Sequence, residues 1–102
     1  MQRFTDEQLT LVARRGRALG DVTHVRILDV LGRAEQPIGM IAVAIESEPS
    51  TISKHLQVLF HAGFVLRRRA ANAVIYSIAD AELLDWCRYL GAARLESRSQ
   101  RT

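Results

Sequence analysis

From residue 50 to residue 65 the chain carries two kinds of surface at helical spacing and then stops at a glycine. Ile52, Leu56 and Leu59 recur at the intervals that stack on one side of a helix, while Ser50, Thr51, Ser53, Lys54 and Gln57 interleave with them. One face can therefore pack on a core while the other presents short hydrogen-bonding groups and one cation. That is the layout of a helix that enters a DNA major groove, where small hydroxyls and amides must fit between base edges and phosphates. Gly63 ends the helix, and Phe64, Val65 and Leu66 run into Arg67, Arg68 and Arg69, an apolar strand feeding a basic hairpin. Helix, glycine stop, strand and basic hairpin in succession restrict the fold far more than any one of them alone.

The rest of the chain supplies helices to support that unit. Thr5 and Gln8 form a capping-box pattern that opens a first helix running to about residue 19, with Leu9, Val12, Ala13 and Gly16 on one face. Asp21 or Thr23 caps a second helix, in which Val25, Ile27, Leu28 and Leu31 keep helical periodicity up to Gly32. Pro37 sits where a first-turn proline would, ahead of a short third helix built on Ile38, Ile41, Ala42 and Ile45. Pro49 opens the fourth helix. Strands are expected at about 64–69 and 73–78, Asp80 caps a last helix, and the polar tail from Ser97 is expected to fray. The order α-α-α-α-β-β-α, mainly helical with a two-stranded β-wing, is that of a winged helix-turn-helix.

Length and composition agree with this and exclude other classes. At 102 residues there is room for a single domain, 1–102, and a 48% hydrophobic, 25% charged composition is that of a packed chain, not a disordered one. A domain this small gains from burying further apolar surface between subunits. The formal charge of +3 matters for where it sits: Arg67, Arg68 and Arg69 lie together, and Arg14, Arg15 and Arg17 form a second basic group. No apolar run approaches the length of a membrane span and the start is not signal-like, so neither membrane insertion nor export is expected. One cysteine, Cys87, cannot make an internal disulfide, which fits a reducing cytoplasm. Catalysis is not expected: no nucleophile is followed by a base and an orienting group, and no glycine-rich phosphate loop appears.

The segments Leu19-Gly20-Asp21-x-Thr23-x-x-Arg26-Ile27-Leu28, Ser50-Thr51-Ile52-Ser53-Lys54-His55-Leu56-x-x-Leu59, Ala62-Gly63-Phe64-Val65 and Tyr76-Ser77-Ile78 together resemble the ArsR/SmtB family of bacterial transcriptional repressors, over roughly residues 9 to 95. The resemblance implies a homodimer that binds an imperfect inverted repeat of double-stranded DNA and releases it when an inducer binds. Read from the residues, Ser50, Thr51, Ser53 and Lys54 are expected to contact DNA with His55 and Gln57 in support, and strand alternation sends Arg67 and Arg69 to one face of the wing strand and Arg68 to the other, the first pair being expected on phosphate and the Arg68 face the alternative. The resemblance places the dimer interface on the first and last helices, where Leu9 and Val12 on one and Leu83, Cys87 and Leu90 on the other form apolar stripes. The alternative for each stripe is packing within one protomer, and the alternative for the whole domain is a winged helix used as a protein-interaction module. Lys54 and the three wing arginines argue against the latter.

The chain departs from the family at three places. The wing tip reads Ala70-Ala71-Asn72-Ala73 in place of a charged residue and a glycine, and Asn72 is expected to take the left-handed turn position. Glu46 stands before the recognition helix where such turns often use glycine. The sensing sites are the third departure. The positions of the family's Cys-x-Cys metal pair fall on Pro37 and Gly39, and those of its last-helix metal set on Asp80, Glu82, Ala93 and Glu96, which hold no imidazole. His24, His55 and His61 are scattered without ligand spacing, so neither metal nor cofactor is expected and the inducer is unknown. Cys87, within the stripe of Leu83 and Leu90, is expected to pack as an inert thiol; the alternative is redox sensing near the dimer axis.

Overall fold

The computed structural model describes the backbone of residues 2–100 and the side chains of residues 2–92. Eight elements follow one another: α1 (Asp6–Leu19), α2 (Val22–Arg33), β1 (Gln36–Pro37), α3 (Ile38–Ile45), α4 (Pro49–His61), β2 (Val65–Ala70), β3 (Ala73–Ile78) and α5 (Ala81–Gln100). The winged helix-turn-helix order is as read from the sequence, with one addition. β1 pairs antiparallel with β3, Gln36 opposite Tyr76 and Pro37 opposite Ile75, so the wing is a three-stranded sheet of order β1-β3-β2 and not a two-stranded one. Two residues carry no alternation to read, and a proline argues against a strand except at an edge, which is where Pro37 lies.

Local chemistry accounts for the helix ends. Thr5 accepts from Gln8 N at 3.1 Å while the Gln8 side chain accepts from Thr5 N at 2.9 Å, a complete capping box. Of the two candidate caps for α2 it is Asp21 that serves, its Oδ1 accepting from Thr23 N at 2.8 Å. Gly32 does not stop α2, which runs on to Arg33; it clears a path for α5 instead, since a Cβ there would stand 2.7 Å from Leu84 Cδ2. Asp80 Oδ1 accepts from Glu82 N at 2.9 Å at the start of α5, whose helical backbone continues past Ser97 to Gln100.

The core lies where α2, α3 and α4 meet the sheet. Ile27, Leu31, Ile41, Ile52, Leu56 and Leu59 are buried from the helices, and Val65 and Tyr76 from the strands. Each such side chain contributes about 1.5–3 kcal/mol when withdrawn from water. Pinning the helices to this one cluster leaves the outer face of α4, the tip of the wing and much of α1 and α5 in solvent.

Among the described residues, two that are not glycine have positive φ. Glu46, between α3 and α4, has φ 61° and ψ 49°, and the turn closes through Ser47 N to Ala42 O at 3.0 Å. At the wing tip the left-handed residue is Ala71, φ 53°, and not Asn72. Ala70 pairs with Ala73, leaving a two-residue connection, and the favoured turns of that length demand positive φ at the first central residue whatever the second one prefers. Neither residue has the freedom of glycine there. Glu46→Gly is therefore expected to stabilise the protein by about 1 kcal/mol, the relief of left-handed strain exceeding the entropy lost by a more flexible unfolded chain. Urea unfolding measures it, and a destabilised variant would show that the Glu46 side chain contributes more than its backbone gives up.

Candidate nucleic-acid interface

α4 is divided as its sequence spacing predicts. Ile52, Leu56 and Leu59 are 0% exposed, while Ser50, Thr51, Lys54 and Gln57 face solvent and Ser53 is half-buried. Pro49 occupies the first turn, where a missing N–H loses nothing, and no side chain caps the helix start. At the other end Phe64 N reaches Leu59 O at 2.9 Å and Gly63 N reaches Phe60 O at 3.1 Å, with Gly63 at φ 83°. This is a Schellman closure, which requires the left-handed conformation that glycine adopts freely. The Ala62 carbonyl just before it accepts from Arg15 Nε at 3.2 Å. Arg15, which the sequence groups with Arg14 and Arg17 as a basic cluster, is thus engaged inside the protomer at a helix C-terminus.

The wing arginines separate as strand alternation requires, Arg67 and Arg69 on one face and Arg68 on the other. Arg68 is ion-paired with Glu35, in the loop before β1. The Arg67 guanidinium lies over the Phe60 ring at 4.0 Å from its centroid, joining the wing to α4 by a cation–π contact. Arg69 is exposed and makes no ion pair among the described residues.

His55 lies differently from the other polar residues of α4. It is half-buried, and its Nδ1 stands 2.9 Å from Nε2 of the buried His24 on α2. His24 Nδ1 in turn lies 2.8 Å from the Ala18 carbonyl. A carbonyl only accepts, so His24 carries its proton on Nδ1; with both rings neutral, its Nε2 accepts from His55 Nδ1. Asp21 Oδ2 is 3.9 Å from the same Nε2. The Thr23 backbone N–H holds the Asp21 carboxyl below its usual range, against the opposing pull of desolvation. Of the three histidines, His24 and His55 therefore converge, while His61 stays exposed at the end of α4. Helical spacing puts His55 beside Ile52 and Leu59 on the inward side of α4 and His24 one turn from Asp21, but does not bring the two histidines together.

Apolar residues of α1 and α5 are open to solvent. Leu9, Val12 and Leu90 are exposed, and Leu83 and Cys87 are half-buried. Trp86 and Tyr89 are exposed on the same helix as Leu90, outside the stripe of Leu83, Cys87 and Leu90 expected from the sequence. A groove of about 660 Å³ between α1 and α5 is lined by Val12, Leu19, Phe64, Leu83, Trp86 and Leu90. Burial pushes the Cys87 thiol pKa up, which disfavours the reactive thiolate. Of the positions matching the family's metal sets, Pro37 and Gly39 flank the start of α3, Asp80 and Glu82 are exposed at the start of α5, and the side chains of Ala93 and Glu96 lie outside the described residues.

No family model matches the chain. It is 37% identical over 86 residues to the uncharacterized HTH-type transcriptional regulator Rv0081 of Mycobacterium tuberculosis, covering 80% of this chain and 75% of that protein. To the HTH-type transcriptional regulator NmtR of the same organism it is 36% identical over 77 residues, covering 72% of this chain and 64% of NmtR. Among solved structures it superposes on the homodimeric winged helix-turn-helix DNA-binding domain of Mb0332 from Mycobacterium bovis, a possible ArsR-family regulator, with a TM-score of 0.85, 29% identity and coverage of 98% and 95% of the two chains. The crystal structure of Rv0081 gives a TM-score of 0.80 at 34% identity, covering 93% of this chain and 99% of that one.

Proposed function

Because the chain belongs to the ArsR/SmtB family of winged helix-turn-helix transcriptional regulators, we propose that it is a homodimeric repressor of an inverted-repeat operator and lacks the family's usual metal-sensing sites. The observation that carries the DNA reading is the division of α4. Ile52, Leu56 and Leu59 are wholly withdrawn, while Ser50, Thr51 and Lys54 remain in solvent and the wing arginines are exposed. Ser50, Thr51, Ser53 and Lys54 take base edges and nearby phosphates, with Gln57 and His55 in support, and the helix N-terminus favours phosphate. Arg67 and Arg69 act mainly on phosphate and not in base recognition; the pairing of Arg68 with Glu35 supports choosing their face of the strand.

Dimerisation through Leu9, Val12, Leu83, Cys87 and Leu90 would close the groove between α1 and α5 and set two recognition helices about one DNA turn apart. The Mb0332 domain is described as homodimeric. None of the described helices is long and apolar enough to cross a membrane, and the proposed place of action is the cytoplasm.

The test is selection of tight-binding duplexes from a random pool, followed by titration at several salt concentrations. Wild-type binding is expected to fall steeply with salt, as phosphate contacts require. The double variant Ser53→Ala, Lys54→Ala is expected to lose about 1–3 kcal/mol for each base contact removed and to discriminate less at those positions. Undiminished affinity in a folded double variant would remove α4 from the interface, and binding indifferent to salt would favour a protein-interaction module.

A further inference from the structure

We propose that Asp21, His24 and His55 form a binding site for a divalent transition-metal ion of zinc type, joining α2 to the recognition helix α4. The nitrogen and oxygen ligand atoms of the three residues lie within 4.8 Å of one another. Two imidazoles and a carboxylate, with a fourth position left to water, are a donor set that zinc and its neighbours accept.

What distinguishes the cluster from a chance meeting of polar groups is its surroundings. Metal-bound histidines characteristically donate their second ring nitrogen to a carbonyl, which fixes the tautomer and aims the lone pair. His24 has this arrangement already: Nδ1 is committed to the Ala18 carbonyl at 2.8 Å, so the unprotonated Nε2 points at His55 and Asp21. Asp21 is held in the same manner, its Oδ1 fixed by Thr23 N at 2.8 Å and its Oδ2 turned toward His24. His24 is 6% exposed, so the ion would be held away from bulk water on that side.

Between the two rings little movement is needed, whereas the Asp21 carboxylate, 3.9 Å from His24 Nε2, must draw closer. Two nitrogens on one tetrahedral zinc, each about 2.0–2.1 Å from the metal, are about 3.3 Å apart. The rings must therefore separate by only a few tenths of an ångström from their present 2.9 Å. Coordination also requires His55 to give up its Nδ1 proton to solvent and take one on Nε2, so the ring stays neutral and its outer nitrogen becomes a donor. The site differs from both of the family's metal sets discussed above in every residue, and its existence does not depend on the DNA reading, because metal uptake is measured without DNA.

The experiment uses the full chain, stripped with a chelator and titrated with Co²⁺ and then Zn²⁺. One Co²⁺ per chain is expected, with the visible absorption of a four-coordinate ion, bleached by Zn²⁺. Selective broadening of the His24 and His55 ring resonances is expected in the same sample. Asp21→Asn keeps a good helix cap and removes the anionic ligand, and His55→Gln keeps a polar partner for His24. Each is expected to weaken uptake by about tenfold or more, while His61→Gln, exposed at the end of α4, leaves it unchanged. Absence of uptake by wild type at micromolar protein would overturn the proposal. So would thiolate-to-cobalt charge transfer, unchanged affinity in both folded variants, or broadening confined to His61.

Discussion

Leu90→Asp is expected to leave a folded protomer that no longer dimerises and no longer holds a two-fold operator. Leu90 is 47% exposed in the isolated protomer, so a carboxylate there stays hydrated and folding is little affected. Association is different. An uncompensated charge enclosed in an apolar interface costs about 3–5 kcal/mol, and a two-fold axis encloses both copies. Together they should weaken dimerisation on the order of ten-thousandfold or more. Sedimentation velocity reads the loss of dimer and circular dichroism the retention of helix. A variant that remains a dimer would mean that the stripe of Leu83, Cys87 and Leu90 serves its own protomer and that dimers form elsewhere.

The second large effect is on stability. Leu56 is 0% exposed between Ile52 and Leu59, at the centre of the cluster that fixes α4 to the rest of the domain. Leu56→Ala removes buried methyl groups and leaves a cavity, at a cost of about 2–5 kcal/mol, a large share of the 5–15 kcal/mol that typical domains possess. The neighbouring Val58 is 48% exposed, and Val58→Ala should fall within about 0.5 kcal/mol of wild type. Urea unfolding of the two variants compares inward and outward faces of one helix directly. Equal losses would mean that α4 is not divided as described.

What could be read from the sequence was local and periodic. Thr5 with Gln8, Pro49 and Gly63 mark helix ends because each supplies a backbone requirement within four residues of itself, and the Ile52, Leu56, Leu59 spacing gives the buried side of α4 without reference to any other element. What escaped was set by partners distant in the chain. β1 exists only because β3 lies alongside it. Gly32 serves the approach of α5 rather than the end of α2. Ala71 turns left-handed because the strand register demands it there. The meeting of His24 with His55 spans 31 residues of sequence and two helices, so no spacing rule could reveal it.

Arg15 gives the molecule a mechanical linkage. It stands on α1, one of the two helices whose apolar faces are open, yet its guanidinium donates to the carbonyl of Ala62, the residue that caps α4, and lies close to Gly63, which follows it. Were the dimer built on α1, this bond would act as a strut. A tilt of one subunit against the other would be carried along α1 to the trailing end of α4, shifting the pitch at which both recognition helices meet the groove. Anything that changes how two copies of α1 seat against each other, whatever its chemistry, would thereby alter the span between half-sites without touching a residue that faces DNA.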